Sequence, residues 1–141
     1  MTEPPPILVA EDSDDDFVLF RRALKEAGVT NPVLRFRDGS HLIKFLEQTP
    51  PVVTNSEEAP PWILFLDLQM PVVEGFEVLR WIAKREGLPL IRTIMLSGSV
   101  RPVDIARTMQ LGAVDYLIKP ATPALLSAAL GKQQPAPILQ N

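Results

Sequence analysis

Short apolar runs alternate along this chain with segments whose apolar residues recur at helical spacing. The runs are Ile7 to Ala10, Val33 to Phe36, Ile63 to Leu66, Ile91 to Leu96 and Val114 to Ile118. A regular apolar–polar alternation is missing, so each is predicted to be a strand buried on both faces. The first helical segment lines Phe17, Phe20, Leu24 and Ala27 along one stripe, and Gly28 is placed to end it. Further helices are predicted over Ser40 to Gln48, Glu74 to Arg85, Pro102 to Leu111 and Pro123 to Gly131. Pro102 and Pro123 suit a first helical turn, where a missing N–H costs nothing, and Thr122 suits the N-cap before the second. Five strand–helix units joined by right-handed crossovers predict an α/β (βα)5 fold, a doubly wound parallel five-stranded sheet in the order 2-1-3-4-5. Residues 49 to 61 hold four prolines and no period, and are expected to form a long disordered loop. Residues 1 to 6 read as an N-terminal arm and 132 to 141 as a flexible tail, leaving one domain over 7 to 131.

Composition narrows the class. A chain of 141 residues, 46% hydrophobic, has length for one domain with a real core. Its formal net charge of -3 offers no general attraction to nucleic acid or an anionic membrane. No apolar run is long enough to span a bilayer, and the start MTEPPP lacks the features of a signal peptide, so a cytoplasmic protein is expected. Without cysteine, a metal must sit on oxygen or on His41, which lies beside Lys44 and Glu47 and reads as a solvated polar residue.

In the predicted strand order the first and third strands are neighbours, and a ligand crevice is expected outside their C-terminal ends. Strand one ends in Glu11 and Asp12, strand three in Asp67, strand four in Ser97, and strand five in Lys119 and Pro120. Three carboxylates at one edge repel one another or demand a cation, and an all-oxygen set suits Mg2+. Lys119 adds a positive charge and Ser97 a hydroxyl donor. A metal, a carboxylate nucleophile and donors for equatorial oxygens suffice for phosphoryl transfer to Asp67. Each residue also has a plainer reading. Acids favour a helix N-terminus, Asp67 suits a turn, Ser97 a cap, and Lys119-Pro120 a loop. Their coincidence at four strand ends favours the chemical reading.

The segments ILVAEDSDDD, FLDLQMPVVEGFEVL, IMLSGS and GAVDYLIKP, in this order and spacing, resemble the response-regulator receiver family of two-component systems over nearly the whole chain, from Ile7 to about Leu130. The resemblance implies a CheY-like, flavodoxin-like fold in which a histidine kinase or phosphotransfer protein phosphorylates Asp67. It further implies Mg2+ or Mn2+ held by Glu11, Asp12, Asp67 and the backbone carbonyl of Gln69. Ser97 takes the place of the switch hydroxyl, Lys119 that of the family's lysine and Tyr116 that of the switch aromatic, and the Lys119-Pro120 peptide is expected to be cis. Taken alone, Tyr116 reads as a strand residue with its hydroxyl in water. The style of EDSDDD and RRALKEAGVTNPV looks most like single-domain regulators that pair with phytochrome-type histidine kinases.

The resemblance implies a phosphoacceptor switch rather than an enzyme, catalysing only its own phosphoryl transfer and slow autodephosphorylation. With no DNA-binding or catalytic attachment expected after residue 131, the output is expected to be a protein contact at the face of the fourth helix, fifth strand and fifth helix. Neither Gln69 nor Ser99 is an acid; these positions tune hydrolysis in the family, so the phosphorylated state is not expected to be unusually short-lived. The fifth helix carries Leu125, Leu126, Ala129 and Leu130 in a broad stripe with no charge before Lys132. With Tyr116 it is expected to form a homodimer or docking interface, against the simpler reading of a tolerant exposed face. Two other functions fit less well. A haloacid-dehalogenase-type phosphatase needs a second Asp two residues after the nucleophile, where this chain has Gln69. A nucleotide-binding module needs a GxGxxG or GxxxxGK[ST] loop, and neither occurs. A receiver-like module that is never phosphorylated is disfavoured by the complete acidic set.

Overall fold

The three central runs of branched and apolar residues form parallel strands because both of their faces find cover. The computed structural model describes residues 5–50, 61–70 and 73–131. The elements follow in the order β1 (Ile7–Ala10), α1 (Asp14–Glu26), β2 (Val33–Phe36), α2 (Gly39–Glu47), β3 (Trp62–Leu66), α3 (Gly75–Lys84), β4 (Ile91–Ser97), α4 (Pro102–Gln110), β5 (Asp115–Ile118) and α5 (Pro123–Gly131). All neighbouring strands pair in parallel, in the order β2-β1-β3-β4-β5. The expected fold class and strand order are observed. The expectations of an arm, a disordered loop and a tail fall largely outside the described residues.

Side chains alternate across the sheet and build two cores. Ile7, Val9, Phe65, Ile94 and Leu96 face α1 and α5, which contribute Phe20, Ala23, Leu24, Leu126 and Ala129. Leu8, Ala10, Leu64, Leu66 and Met95 face Leu42 and Leu46 of α2 and Val78 and Leu79 of α3. Each fully buried Leu or Phe contributes roughly 1.5–3 kcal/mol by removal from water.

Local signals set the helix ends. Ser13 caps α1 by accepting from Asp16 N at 3.2 Å. Gly28, at φ +81°, ends the same helix, with its N–H on Lys25 O at 3.0 Å and that of Val29 on Leu24 O at 3.1 Å. Thr122 Oγ1 accepts from Leu125 N at 3.1 Å at the start of α5. Two expectations need correction. β2 and β5 are not buried on both faces: they are the edge strands, and Leu34 is 38% and Ile118 36% exposed. Leu126 and Ala129 of α5 are fully buried against the sheet and α1, so they offer no docking surface.

Candidate functional site

The parallel register brings the C-terminal ends of β1 and β3 level, with Ala10 opposite Leu66. The next residues, Glu11 and Asp67, therefore leave the sheet side by side. Both are buried, at 2% and 6% exposure, while Asp12 is exposed. The Glu11 N–H donates to Phe36 O at 2.9 Å and the Asp67 N–H to Ala10 O at 3.2 Å, so the backbone that aims both carboxylates is held by the sheet's own ladder.

Lys119, just beyond β5, reaches across this edge. Its Nζ lies 2.7 Å from Glu11 Oε1, 2.8 Å from Asp67 Oδ2 and 2.9 Å from Asp16 Oδ2. The remaining carboxylate oxygens are used locally, Glu11 Oε2 accepting from Ser13 N at 3.1 Å and Asp67 Oδ1 from Gln69 N at 3.2 Å. Burial pushes the Glu11 carboxyl above its ordinary range, with the charge of Asp67 adding to the rise and hydrogen bonds from Lys119 and Ser13 opposing it. Burial alone would lower the Lys119 ammonium, yet its bonds to Asp67, Glu11 and Asp16 hold it above its ordinary value. The peptide between Lys119 and Pro120 is cis.

One carboxylate oxygen from each of Glu11, Asp12 and Asp67 lies within 4.8 Å of the other two. The donor set is purely oxygen and carries more negative charge than Lys119 balances. Those are the properties that suit a hard divalent cation such as Mg2+ or Mn2+, so the residues present fit the group.

Ser97 and Tyr116 form a second group beside the first. Ser97 is fully buried at the end of β4; its Oγ accepts from Ser99 N at 3.2 Å, and its carbonyl accepts from Lys119 N at 2.9 Å. The Tyr116 hydroxyl donates to Ser99 O at 3.0 Å instead of standing in water, and its ring packs against the core on the α2 and α3 face. The Ser99 hydroxyl donates to Asp104 Oδ2 of α4 at 2.7 Å. Ser99 thus touches Ser97, Tyr116 and α4.

Three residues at the site escaped the sequence reading. Asp16, the third carboxylate on Lys119, belongs to the run EDSDDD, where acids are also explained by the helix dipole. Gly75 begins α3 directly over Asp67: a Cβ there would meet Asp67 O at 2.6 Å and Leu68 Cα at 2.9 Å. Its only trace in sequence is its place in FLDLQMPVVEGFEVL. Arg35 of β2 donates from Nε to Glu11 O at 3.1 Å and from Nη1 to Asp14 Oδ1 at 2.8 Å, contacts that only the sheet register creates. Arg35 and Arg37 hold the Asp14 carboxyl below the usual range.

Of the residues expected at an interface, Tyr116 and Leu130 are half-buried, Leu126 and Ala129 are core, and Leu125 is 44% exposed. Other apolar side chains lie open on the same three elements and their margins: Val103 of α4, Val114 just before β5 and Ile118 at its end.

A family model described as the response regulator receiver domain matches residues 7–131. Over 118 residues the chain is 31% identical to a probable methanogenesis regulatory protein, FilR2, of Methanothrix harundinacea, covering 84% of this chain and 74% of that protein. Over 117 residues it is 32% identical to response regulator Rcp1 of Synechocystis sp., covering 82% and 77%. Among solved structures it is similar to the bacteriophytochrome response regulator AtBRR, with a TM-score of 0.75, 31% identity and coverage of 92% of this chain and 91% of that one. The Mn(2+)-bound form of response regulator Rcp1 superposes with a TM-score of 0.70 at 29% identity, covering 91% of each chain. No helix among the described residues is long and apolar enough to cross a membrane.

Proposed function

The chain belongs to the response regulator receiver domain family, and from that premise we propose that it is a phosphorylation switch whose Asp67 accepts a phosphoryl group from the phosphohistidine of a histidine kinase or phosphotransfer protein. The observation that carries this reading is the Lys119 ammonium, 2.8 Å from the Asp67 carboxylate and 2.7 Å from that of Glu11 at the C-terminal edge of the sheet. An Asp67 oxygen attacks phosphorus and the P–N bond of the donor breaks. The imidazole leaves with the bonding electrons and takes up a proton, and an acyl phosphate remains on Asp67. Lys119 is already within contact of Asp67 and supplies fixed positive charge to the equatorial oxygens. Glu11, Asp12, Asp67 and the backbone carbonyl of Gln69 would hold Mg2+ or Mn2+, which supplies further neutralisation of phosphoryl charge. The description of a relative's structure as Mn(2+)-bound supports that choice of ion.

The switch follows from the second group. A phosphoryl group adds negative charge and acceptor oxygens, so the Ser97 hydroxyl, which already accepts from Ser99 N, gains a phosphoryl acceptor in the modified state alone. Ser97 and Tyr116 both bond to Ser99, so a shift of that loop reaches Tyr116 through one residue. The message then leaves through protein contacts at the face of α4, β5 and α5. Beyond its own phosphoryl transfer and slow hydrolysis the domain performs no catalysis. Similarity to bacteriophytochrome response regulators supports a phytochrome-type histidine kinase as the donor. Pairing of two copies through α4, β5 and α5 is favoured by Val103, Val114, Ile118 and Leu125, each at least 36% exposed.

Incubation with Mg2+ and acetyl phosphate is expected to add the mass of one phosphoryl group in an acid-stable, base-labile linkage. Asp67→Asn should lose the signal and Ser97→Ala keep it. Modification persisting unchanged in Asp67→Asn would refute the assignment.

A further inference from the structure

Arg35 sits in an edge strand, yet its side chain is only 15% exposed. Its side-chain contacts fall where β1 passes into α1, on Glu11 just after the strand and on Asp14 and Phe17 in the first turn of the helix. Nε donates to Glu11 O at 3.1 Å, Nη1 donates to Asp14 Oδ1 at 2.8 Å, and the guanidinium lies over the Phe17 ring, 4.7 Å from its centroid. Nη2 is buried with no acceptor among the described residues, an arrangement disfavoured by lost hydration. The other three contacts must hold the side chain there. Glu11 is meanwhile bound to β2 through its own N–H, which donates to Phe36 O at 2.9 Å. Both backbone polar groups of Glu11 are therefore tied to the same strand, one through its backbone and one through Arg35.

We propose that Arg35 is a positioning residue for the cation site: by holding Glu11 to the first turn of α1 at Asp14 and Phe17 it fixes Glu11 and Asp12 beside Asp67 and so sets the affinity for a divalent ion. This rests on the cation-assisted reading of Asp67 given above. Partners that orient metal ligands through hydrogen bonds govern affinity in metal sites generally. A planar fork can hold a carbonyl and a carboxylate at once while its face covers a ring, and an ammonium cannot reproduce that geometry.

A purely electrostatic role for Arg35 makes the opposite forecast. A cation near an acidic site repels Mg2+, so its loss would tighten binding, and Arg35→Lys would change nothing. Positioning requires that Arg35→Lys and Arg35→Ala both weaken binding, by about tenfold. Mg2+ affinity is read by isothermal titration calorimetry and Mn2+ affinity by electron paramagnetic resonance, with folding checked by circular dichroism. At saturating Mg2+ the acetyl phosphate labelling rate of both variants should recover towards that of the wild type.

A pair of surface variants guards against a misfolded Arg35 protein. Asp14→Asn and Asp15→Asn each remove one exposed carboxylate from the same helical turn, but only Asp14 is held by Arg35. Asp14→Asn should weaken Mg2+ binding roughly threefold or more beyond Asp15→Asn, as loss of an orienting partner does. Arg35→Lys binding Mg2+ as the wild type does, or Asp14→Asn and Asp15→Asn behaving alike, would overturn the proposal. Failure of the wild-type protein itself to bind Mg2+ would instead refute the reading of the site on which it rests.

Discussion

At Lys119 one ammonium faces the carboxylates of Glu11, Asp67 and Asp16 at 2.7, 2.8 and 2.9 Å. The excess negative charge suits a second cation, with which Lys119 would compete for Glu11 and Asp67. Lys119→Ala therefore acts in two directions. Mg2+ affinity, measured calorimetrically, is expected to hold or rise, while labelling by acetyl phosphate should slow on the order of 100-fold, as when a charge-stabilising donor is lost. Labelling at the wild-type rate would show that Lys119 is a structural ion-pair partner only. On the proposed reading, Gln69 and Ser99 would bear on hydrolysis of the acyl phosphate. Neither is an acid, and the Ser99 hydroxyl is already committed to Asp104 at 2.7 Å, so no side chain at these two positions is set to activate water. The purified phosphoprotein should therefore persist beyond seconds, followed by mass spectrometry over time; decay within seconds would contradict this. Glu11, Asp12, Asp67, Ser97 and Lys119 were legible because each ends an apolar run. Asp16 and Arg35 were not. Their roles depend on which strands become neighbours, and nothing local distinguishes them from other charged residues.

Among the elements, α3 is seated directly on the backbone of Asp67. The Gly75 N–H donates to Leu68 O at 3.0 Å, and a methyl group at Gly75 would press on backbone atoms of Asp67 and Leu68 that cannot turn aside. Gly75→Ala should destabilise the fold by about 1–3 kcal/mol, the usual cost of overpacking, visible as a lower Tm. An unchanged Tm would mean that α3 shifts freely. Helix α5 illustrates the opposite limit of sequence reading. Leu125, Leu126, Ala129 and Leu130 look like one broad stripe, yet Leu126 and Ala129 point inward and are fully buried, whereas Leu125, one step round the helix, is open. A helix that is apolar on most sides does not announce which side meets the sheet. At its far end Arg92 of β4 donates from Nη2 to Ala129 O at 3.1 Å, which anchors the last turn and settles the orientation.

For the molecule as a whole, the question is how a change at the buried edge reaches a partner. The two groups at the site meet at the β5 terminus, where Lys119 N donates to Ser97 O at 2.9 Å, and β5 is an edge strand of the sheet. The exposed Val103, Val114, Ile118 and Leu125 surround that edge. If this face pairs with a second copy, light scattering over a concentration series should show a concentration-dependent rise in mass that acetyl phosphate alters. Ile118→Lys should suppress the rise by placing a charge in the contact. A monomer at every concentration, with and without acetyl phosphate, would remove self-association and leave the face to a different protein.

Taken by itself, the amino-acid sequence determined the number and order of the strands and helices, because apolar period and end signals such as Gly28, Pro102, Thr122 and Pro123 are local. It also placed the reactive side chains, since a residue that follows an apolar run must emerge at a strand end. Tertiary structure alone decided which of those ends meet. The parallel register set Glu11 beside Asp67, the β5 position let Lys119 bridge them, and pairing of β2 with β1 brought Arg35 onto the turn that carries Glu11. The physical reason is range: backbone preferences act over a few residues, whereas ion pairs and close packing join residues that are distant in sequence and adjacent only after folding.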